Sequence, residues 1–355
     1  MAIIAGEIGP KISKLAIFAH RKDNIGDKIK LDSLLVSQTF ITQEYAERMP
    51  DMIEVFVNEY YDGKEEIYGA CFGIAGLVEN GKTTIDSQDF QAIFTEQEFR
   101  QKLPYKNVPI SFINDMEAIG YGIFLGDGEE QLQELYQGKA EFKSDPNDNR
   151  VLMLVSEGLG QALWYWDEKK EKLSPISSEG GNANFSPRTK NEIELLLHLK
   201  KNELDKPISY QYVLSSQGLV RIYEFFQSKR GQKEQNINDA TSIIEQAVQG
   251  NPLCQDSLEM FISIWGAKAG DLALEYKAKG GVFIGGISIP IEILKEGTFI
   301  NAFIDKQKDF FKEFNKRISI KVFEEKDIVL LGAARYSIDS GFVTKGKFAI
   351  MRSNQ

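Results

Sequence analysis

The run Ile113-Asn114-Asp115 puts an amide and a carboxylate where an apolar strand gives way to a helix. A carboxylate there can accept a proton, and the N-terminal helix dipoles favour its charge. An ordinary helix cap is the competing reading, since Asn and Asp both cap well. The run Ser178-Glu179-Gly180-Gly181 follows a hairpin and offers a second carboxylate. A carboxylate can accept from two hydroxyls, and an amide both donates and accepts. An exposed charged turn is the bland reading of Glu179. Three glycine-bearing turns follow strands: Gly6-Glu7-Ile8-Gly9-Pro10-Lys11, Ser156-Glu157-Gly158-Leu159-Gly160 and Gly280-Gly281-Val282-Phe283-Ile284-Gly285-Gly286. Glycine after a strand lets the backbone approach a phosphate closely. Taken singly, each turn reads better as plain structure than as a phosphate cradle, and none fits a Walker A loop or a dinucleotide fingerprint.

Histidine and cysteine add little. The 2 histidines are His20 and His198, too few for most zinc sites and Ser-His-Asp triads. His198 lies in the helical run Glu192–Leu199, where a satisfied helix residue is the better reading. Cys71 and Cys254 each sit in an apolar segment and are expected reduced and buried, in a cytoplasmic protein.

These residues need elements to hold them. Residues 2–8, 14–19 and 34–40 read as strands, with a polar hairpin loop at 21–27. An amphipathic helix fits about 42–61. Apolar strands follow at 67–74 and 108–113. Near-continuous apolar strands alternating with helices argue for a parallel or mixed sheet covered by helices. The stretch from about 126 to 150 is polar and turn-rich, a long surface connection. A strand at 151–155 restarts the alternation, with hairpin-like strands at 162–167. Helices fit near 189–204, 218–228, 238–249 and 252–279. A strand ending in glycines, 281–286, precedes a closing strand–turn unit at 318–336. Two halves that each open with strand, glycine turn and strand suggest a duplicated α/β architecture.

Composition sets outer limits. A chain of 355 residues corresponds to two or three domains and can bury a large core, with 42% hydrophobic residues. Its 42 basic and 52 acidic residues give a charge of −10, which disfavours nucleic acid and anionic membrane as partners. No apolar run reaches the ~18 residues that span a bilayer. The N-terminal Met1–Gly6 reads as a first strand rather than a signal peptide.

The order of the motifs carries more than any one of them. Ile113-Asn114-Asp115, Glu179-Gly180-Gly181 followed by Phe185, Val213-Leu214-Ser215 with Gly218-Leu219-Val220, Gly280–Ile284, and Leu330-Leu331-Gly332-Ala333 come in a series that resembles the bacterial glucokinase family. The likeness runs from about residue 2 to about 336. It implies an α/β fold of two actin-like (ribonuclease H-like) domains flanking a cleft, a small one at 1–125 plus 336–355 and a large one at 126–335. It implies transfer of the ATP γ-phosphoryl to the 6-hydroxyl of glucose or a related hexose, with magnesium. Asp115 matches the family's base. Asn114, Asp115 and Glu179 match its sugar side, with Asn182 and Gln211 at two further sugar positions. Glu7, Gly9, Lys11, Glu157, Gly158, Gly160, Gly285 and Gly286 match its nucleotide side. A homodimer is the open expectation for assembly.

The departures from the family pattern bear on activity. In the first turn Glu7 stands for Asp, and Pro10-Lys11 for Gly-Thr; proline removes an N–H that a phosphate cradle would use. In the second, Glu157 stands for Thr, a carboxylate beside the expected γ-phosphate. Two like charges ~4 Å apart repel by ~4 kcal/mol at an effective dielectric of about 20. Asn182 replaces a histidine, Asn184 an acid and Gln211 a glutamate. Asp86-Ser87-Gln88-Asp89-Phe90 replaces a Thr-Asn-x-x-Trp segment. These changes predict weak ATP binding, with a catalytically inactive sugar-binding or regulatory homologue as the alternative to a kinase.

Overall fold

The computed structural model describes residues 1–20, 33–86, 91–104, 107–125, 132–139, 144–202, 206–231, 237–324 and 326–340. The hairpin loop expected at 21–27 and residues Ser87–Phe90 lie outside them. In chain order the elements begin with β1 (Ala2–Ile8), β2 (Ile12–Ala19), β3 (Leu34–Ile41), α1 (Met49–Tyr60), β4 (Ile67–Ile74), β5 (Leu77–Glu79), β6 (Lys82–Asp86) and β7 (Gln91–Thr95). Then come α2 (Glu96–Lys102), β8 (Ile110–Asn114) and α3 (Asp115–Gly120), which runs into a π-helical turn, Tyr121–Leu125. The next group is β9 (Gln133–Tyr136), β10 (Arg150–Val155), β11 (Leu159–Asp167), β12 (Lys172–Ser178), α4 (Lys190–Asn202), α5 (Tyr210–Val213), α6 (Ser216–Arg230), α7 (Ala240–Val248) and α8 (Pro252–Glu275). The chain closes with β13 (Val282–Gly286), α9 (Ile291–Lys295), α10 (Thr298–Ile304), α11 (Asp309–Asn315), β14 (Ile320–Val322) and α12 (Ile328–Asp339).

The chain divides into two compact units, Met1–Gln131 with Glu325–Gln355, and Leu132–Glu324. In the first unit the sheet order is β3-β2-β1-β4-β8. β1 pairs antiparallel with β2, and β2 with β3; β4 and β8 add in parallel. In the second unit the order is β12-β11-β10-β13-β14-β9. β10, β11 and β12 form the antiparallel meander, and β13 and β14 add in parallel. The two sheets therefore repeat one order and one set of senses, the duplication expected from the sequence. β9 is an extra antiparallel edge strand.

Each sheet is covered by its own core. In the first unit Phe72, Phe94, Phe99 and Phe112 pack ring against ring, with centroids 5.0–6.0 Å apart. The second core gathers on α8, whose Phe261 and Trp265 are buried with Phe299 of α10. From Met260 to Ala273 nearly every residue of α8 is buried, so that stretch shows no amphipathic stripe.

Two expected elements come out differently. The helix expected at 42–61 splits into a 3-10 turn, Thr42–Tyr45, and α1. Pro50 is the reason: it lacks an N–H, so it is tolerated only in a first helical turn and starts a new helix there. The closing strand–turn unit at 318–336 is instead the short β14 followed by α12, which packs on α3 and β4. Its first seven residues, Ile328–Ala334, are all buried, so their apolar run mimics a buried strand.

His20 directly follows β2. It is buried, and its pKa is lowered first by that burial and then by the N-terminal ammonium and the Arg335 guanidinium. A depressed histidine stabilises the fold while neutral in both states. The unfolded state takes up its proton first, near pH 6.5, so stability falls as pH drops below that value. His198, lowered by burial and Lys201, acts in the same sense. The melting temperature is expected to fall between pH 7.5 and pH 5. In His20→Gln that fall should be smaller, read by differential scanning fluorimetry at the two pH values.

Candidate functional site

In the first unit the carboxyl ends of three parallel strands lie side by side, with Ile8 opposite Ile74 and Ile74 opposite Asn114. Asn114 closes β8 and caps α3. Its Oδ1 accepts the Met116 N–H at 3.0 Å, and its Nδ2 donates to the Gly76 carbonyl at 3.3 Å. Asp115 is the first residue of α3, half-buried, and its Oδ1 accepts the same N–H at 2.8 Å. The cap reading and the base reading of this pair are thus compatible: Asn114 does the capping, and Asp115 is carried on the helix start.

Glycines set where that helix lies. A Cβ on Gly73 of β4 would stand 2.7 Å from Val329 Cγ1, 3.0 Å from Ala118 Cβ and 3.8 Å from Asp115 Cα. A Cβ on Gly332 would stand 1.6 Å from the Ala118 oxygen. So α3 and α12 cross at bare backbone. The motif Leu330-Leu331-Gly332-Ala333 is the contact that fixes the height of Asp115 over the sheet.

Glu7 lies half-buried on β1, opposite Lys14 of β2 and Gly73 of β4. Lys14 forms an ion pair with Asp327, the residue before α12. Sequence reading passed over both partners. The signal was present: in a hairpin closed after Ile8, Lys14 falls opposite Glu7. Between these strands, the Gly9 N–H donates to the Ile12 carbonyl at 3.2 Å, so it is engaged within the turn. Lys11 is exposed, and its carbonyl accepts from Thr42 N–H at 3.0 Å.

In the second unit four sequence candidates meet. Gln211 Nε2 donates to Asn182 Oδ1 at 2.5 Å, and Asn182 Nδ2 donates to Glu179 Oε2 at 3.3 Å. Gly158 stands against this chain of side chains, with its ideal Cβ position 3.4 Å from Gln211 Oε1. The backbone brings the segments together. Asn184 bridges Ser209, Tyr210 N–H donates to the Ala183 carbonyl at 2.8 Å, and the Phe185 and Tyr210 rings meet edge to face at 5.7 Å. Burial, with the Asp271 charge adding to it, pushes the Tyr210 phenol up to about 12, so it stays neutral. The Glu179 turn is closed by a 3-10 turn, Gly180–Asn182. A Cβ on Gly181 would lie 2.1 Å from the Leu159 carbonyl, so only glycine fits there.

The Glu157 turn is anchored on the start of α6. Ser216 donates to the Ser156 carbonyl through both its N–H, at 2.8 Å, and its hydroxyl, at 3.1 Å. Ser156 N–H is engaged by Gly158 O at 2.9 Å. Glu157 itself is exposed. A like charge ~4 Å away then costs nearer the ~1 kcal/mol of bulk water than the ~4 kcal/mol of a partly buried site. The expected penalty on a phosphate shrinks accordingly. Gly160 is not in the turn; it pairs with Leu154 inside the sheet. Gly285 pairs with Leu154 from the other side and stands against the Phe323 ring. Gly286 ends β13 at φ 107°, and a Cβ there would fall 1.9 Å from the Val155 carbonyl.

The candidates divide between the two units: Glu7, Gly9, Lys11, Asn114 and Asp115 lie in the first, and Glu157, Gly158, Gly160, Glu179, Asn182, Gln211, Gly285 and Gly286 in the second. The first presents carboxylates at parallel strand ends. The second presents a linked carboxylate and two amides beside a glycine turn, a set suited to hydroxyl groups. Among the described residues no three His, Cys, Asp or Glu side chains are grouped to hold a metal ion by themselves. Nor is any described helix long and apolar enough to cross a membrane.

Comparison with known proteins agrees with this order of elements. A Glucokinase family model matches residues 4–339. A glucokinase of Synechocystis is 27% identical over 93% of this chain and 96% of its own. The solved glucokinase of Balamuthia mandrillaris in complex with glucose superposes with a TM-score of 0.76 at 19% identity, covering 96% of this chain and 94% of that one. A ROK family glucokinase of Streptomyces griseus in complex with glucose and AMPPNP gives 0.60 at 17% identity, covering 94% and 98%. These likenesses show the actin-like α/β fold, and with a family model spanning nearly the whole sequence, the chain belongs to the glucokinase family.

Proposed function

We propose that this protein is an ATP-dependent sugar kinase that transfers the γ-phosphoryl group to the 6-hydroxyl of glucose. The observation that carries the reading is the survival of both halves of the chemistry in a glucokinase family chain: Asp115 on a helix start, and the linked trio Glu179, Asn182 and Gln211. The Asp115 carboxylate accepts the hydroxyl proton as the oxygen attacks phosphorus, and ADP departs. Asn114, Glu179, Asn182 and Gln211 hold the other hydroxyls. Phosphoryl transfer needs little beyond this positioning and charge stabilisation. Magnesium needs no cage of protein ligands, because it is held largely by the substrate phosphates with one or two carboxylates. Glu7, at the end of β1, is the residue in the first unit we assign to that side. A complex of the Streptomyces griseus relative with AMPPNP supports ATP as the donor.

The sugar half is tested by melting. Glucose at about 100 times its dissociation constant should stabilise the fold by ~2.7 kcal/mol. A fluorimetric screen in which no hexose raises the melting temperature would contradict the reading. The nucleotide half has its own test. Glu157→Thr should tighten MgATP by roughly fivefold, the equivalent of ~1 kcal/mol of relieved repulsion in water. Calorimetry showing equal ATP affinity in both proteins would mean that Glu157 does not face the phosphates.

A further inference from the structure

Beneath the Glu179 turn lies a polar side chain that the reaction does not use. Gln161, on β11, is 3% exposed and pairs across the sheet with Ser178, the last residue of β12. Its carboxamide lies against the bare side of Gly180: a Cβ there would stand 2.5 Å from Gln161 Oε1 and 3.3 Å from its Cδ. Ser178 Oγ is 3.0 Å from the same point, and accepts the Gly180 N–H at 3.1 Å. Gln161 Nε2 is buried with no hydrogen-bond partner. A buried donor left unpaired is costly and calls for an explanation.

Two features say what the donor serves. First, Gln161 follows Gly160 and underlies the turn that carries Glu179 and Asn182, so it adjoins both motifs of the second unit. Secondly, the polar side chains of that turn are linked to each other. Asn182 Nδ2 is used on Glu179, and Gln211 Nε2 on Asn182. Each amide keeps one further N–H, whereas Gln161 Nε2, beneath the same turn, has no partner for either of its own.

We propose that Gln161 is a specificity-determining residue of the sugar site, whose Nε2 donates to one oxygen of the bound sugar. Gly180, which has no side chain, lies over the carboxamide, so no side chain at that position covers it. A hydroxyl held this way accepts from Gln161 and donates to a carboxylate or amide oxygen of the trio. This rests on the sugar-kinase reading and extends it to a residue outside the family motifs quoted above.

The experiment uses Gln161→Leu, which keeps the shape and removes hydrogen bonding, and Gln161→Met as a second apolar form. Glucose and its monodeoxy analogues are titrated by calorimetry against all three proteins, and KM and kcat are measured with MgATP. Removing an unpaired donor should leave the melting temperature unchanged or raised, which establishes folding. Glucose affinity and 1/KM are expected to fall about tenfold, with kcat changed less than twofold. One deoxy sugar, the one lacking the contacted oxygen, should bind wild type and variants alike. Unchanged glucose affinity in both variants would overturn the proposal, and so would an equal loss for every deoxy sugar. A wild-type protein that binds no sugar in the calorimeter would overturn the sugar-kinase reading, and the proposal with it.

Discussion

Asp115→Asn is expected to fold as the wild type does and to lose about 10²–10⁴-fold in kcat, the range of a missing general base. The substitution is nearly isosteric. An Asn oxygen can still accept the Met116 N–H that Asp115 Oδ1 accepts at 2.8 Å, and Asn114 continues to cap the helix. The helix start is therefore kept while the proton acceptor is lost. Glucose binding should change little, because an Asn side chain still hydrogen-bonds a hydroxyl and the Glu179, Asn182 and Gln211 trio is unaltered. A fall in kcat with near-normal sugar affinity is the signature. Full turnover in the variant would remove Asp115 from its assigned role, whatever the fold.

Gly332→Val should be the most damaging single change to stability. Even a Cβ at 332 would lie 1.6 Å from the Ala118 oxygen, 2.5 Å from its carbonyl carbon and 2.9 Å from Gly122 N. All three are backbone atoms of the helix led by Asp115, so no rotamer change relieves the clash. The crossing with α12 must open. Forced overpacking commonly costs 1–3 kcal/mol, and a clash with immovable backbone belongs at or above about 3 kcal/mol. At roughly 2–4 °C per kcal/mol for a unit of this size, the melting temperature should drop by roughly 6–12 °C. Activity should fall with it, since Asp115 moves with its helix. A variant that melts within about 1 °C of wild type would show that the crossing is not as tight as these distances imply.

The strands that hold the site were legible because their patterns are simple. β1, β4 and β10 are apolar nearly throughout, and each is followed by glycine or a polar turn. The duplicated sheet could be suspected from the repeated strand–turn–strand openings. By contrast α12 was hidden, because a helix buried on every side near its start has no polar stripe to betray its period. The small sheet of β5, β6 and β7 was also missed; its strands are short, at 3 to 5 residues. Within the site, residue types could be read and pairings could not. Asn182 and Gln211 are 29 residues apart, and their hydrogen bond depends on the single bridge between Asn184 and Ser209. The charge on Glu157 was plain in the sequence, whereas its exposure, which sets how much that charge matters, belongs to the fold.

The most direct measurement is a phosphorus NMR assay of purified protein with glucose and MgATP. The account predicts a growing glucose 6-phosphate resonance matched one for one by ADP, abolished or slowed at least a hundredfold in Asp115→Asn. ATP and glucose that remain unchanged, with protein shown to be folded and to bind the sugar, would contradict the assignment of this chain as a working kinase.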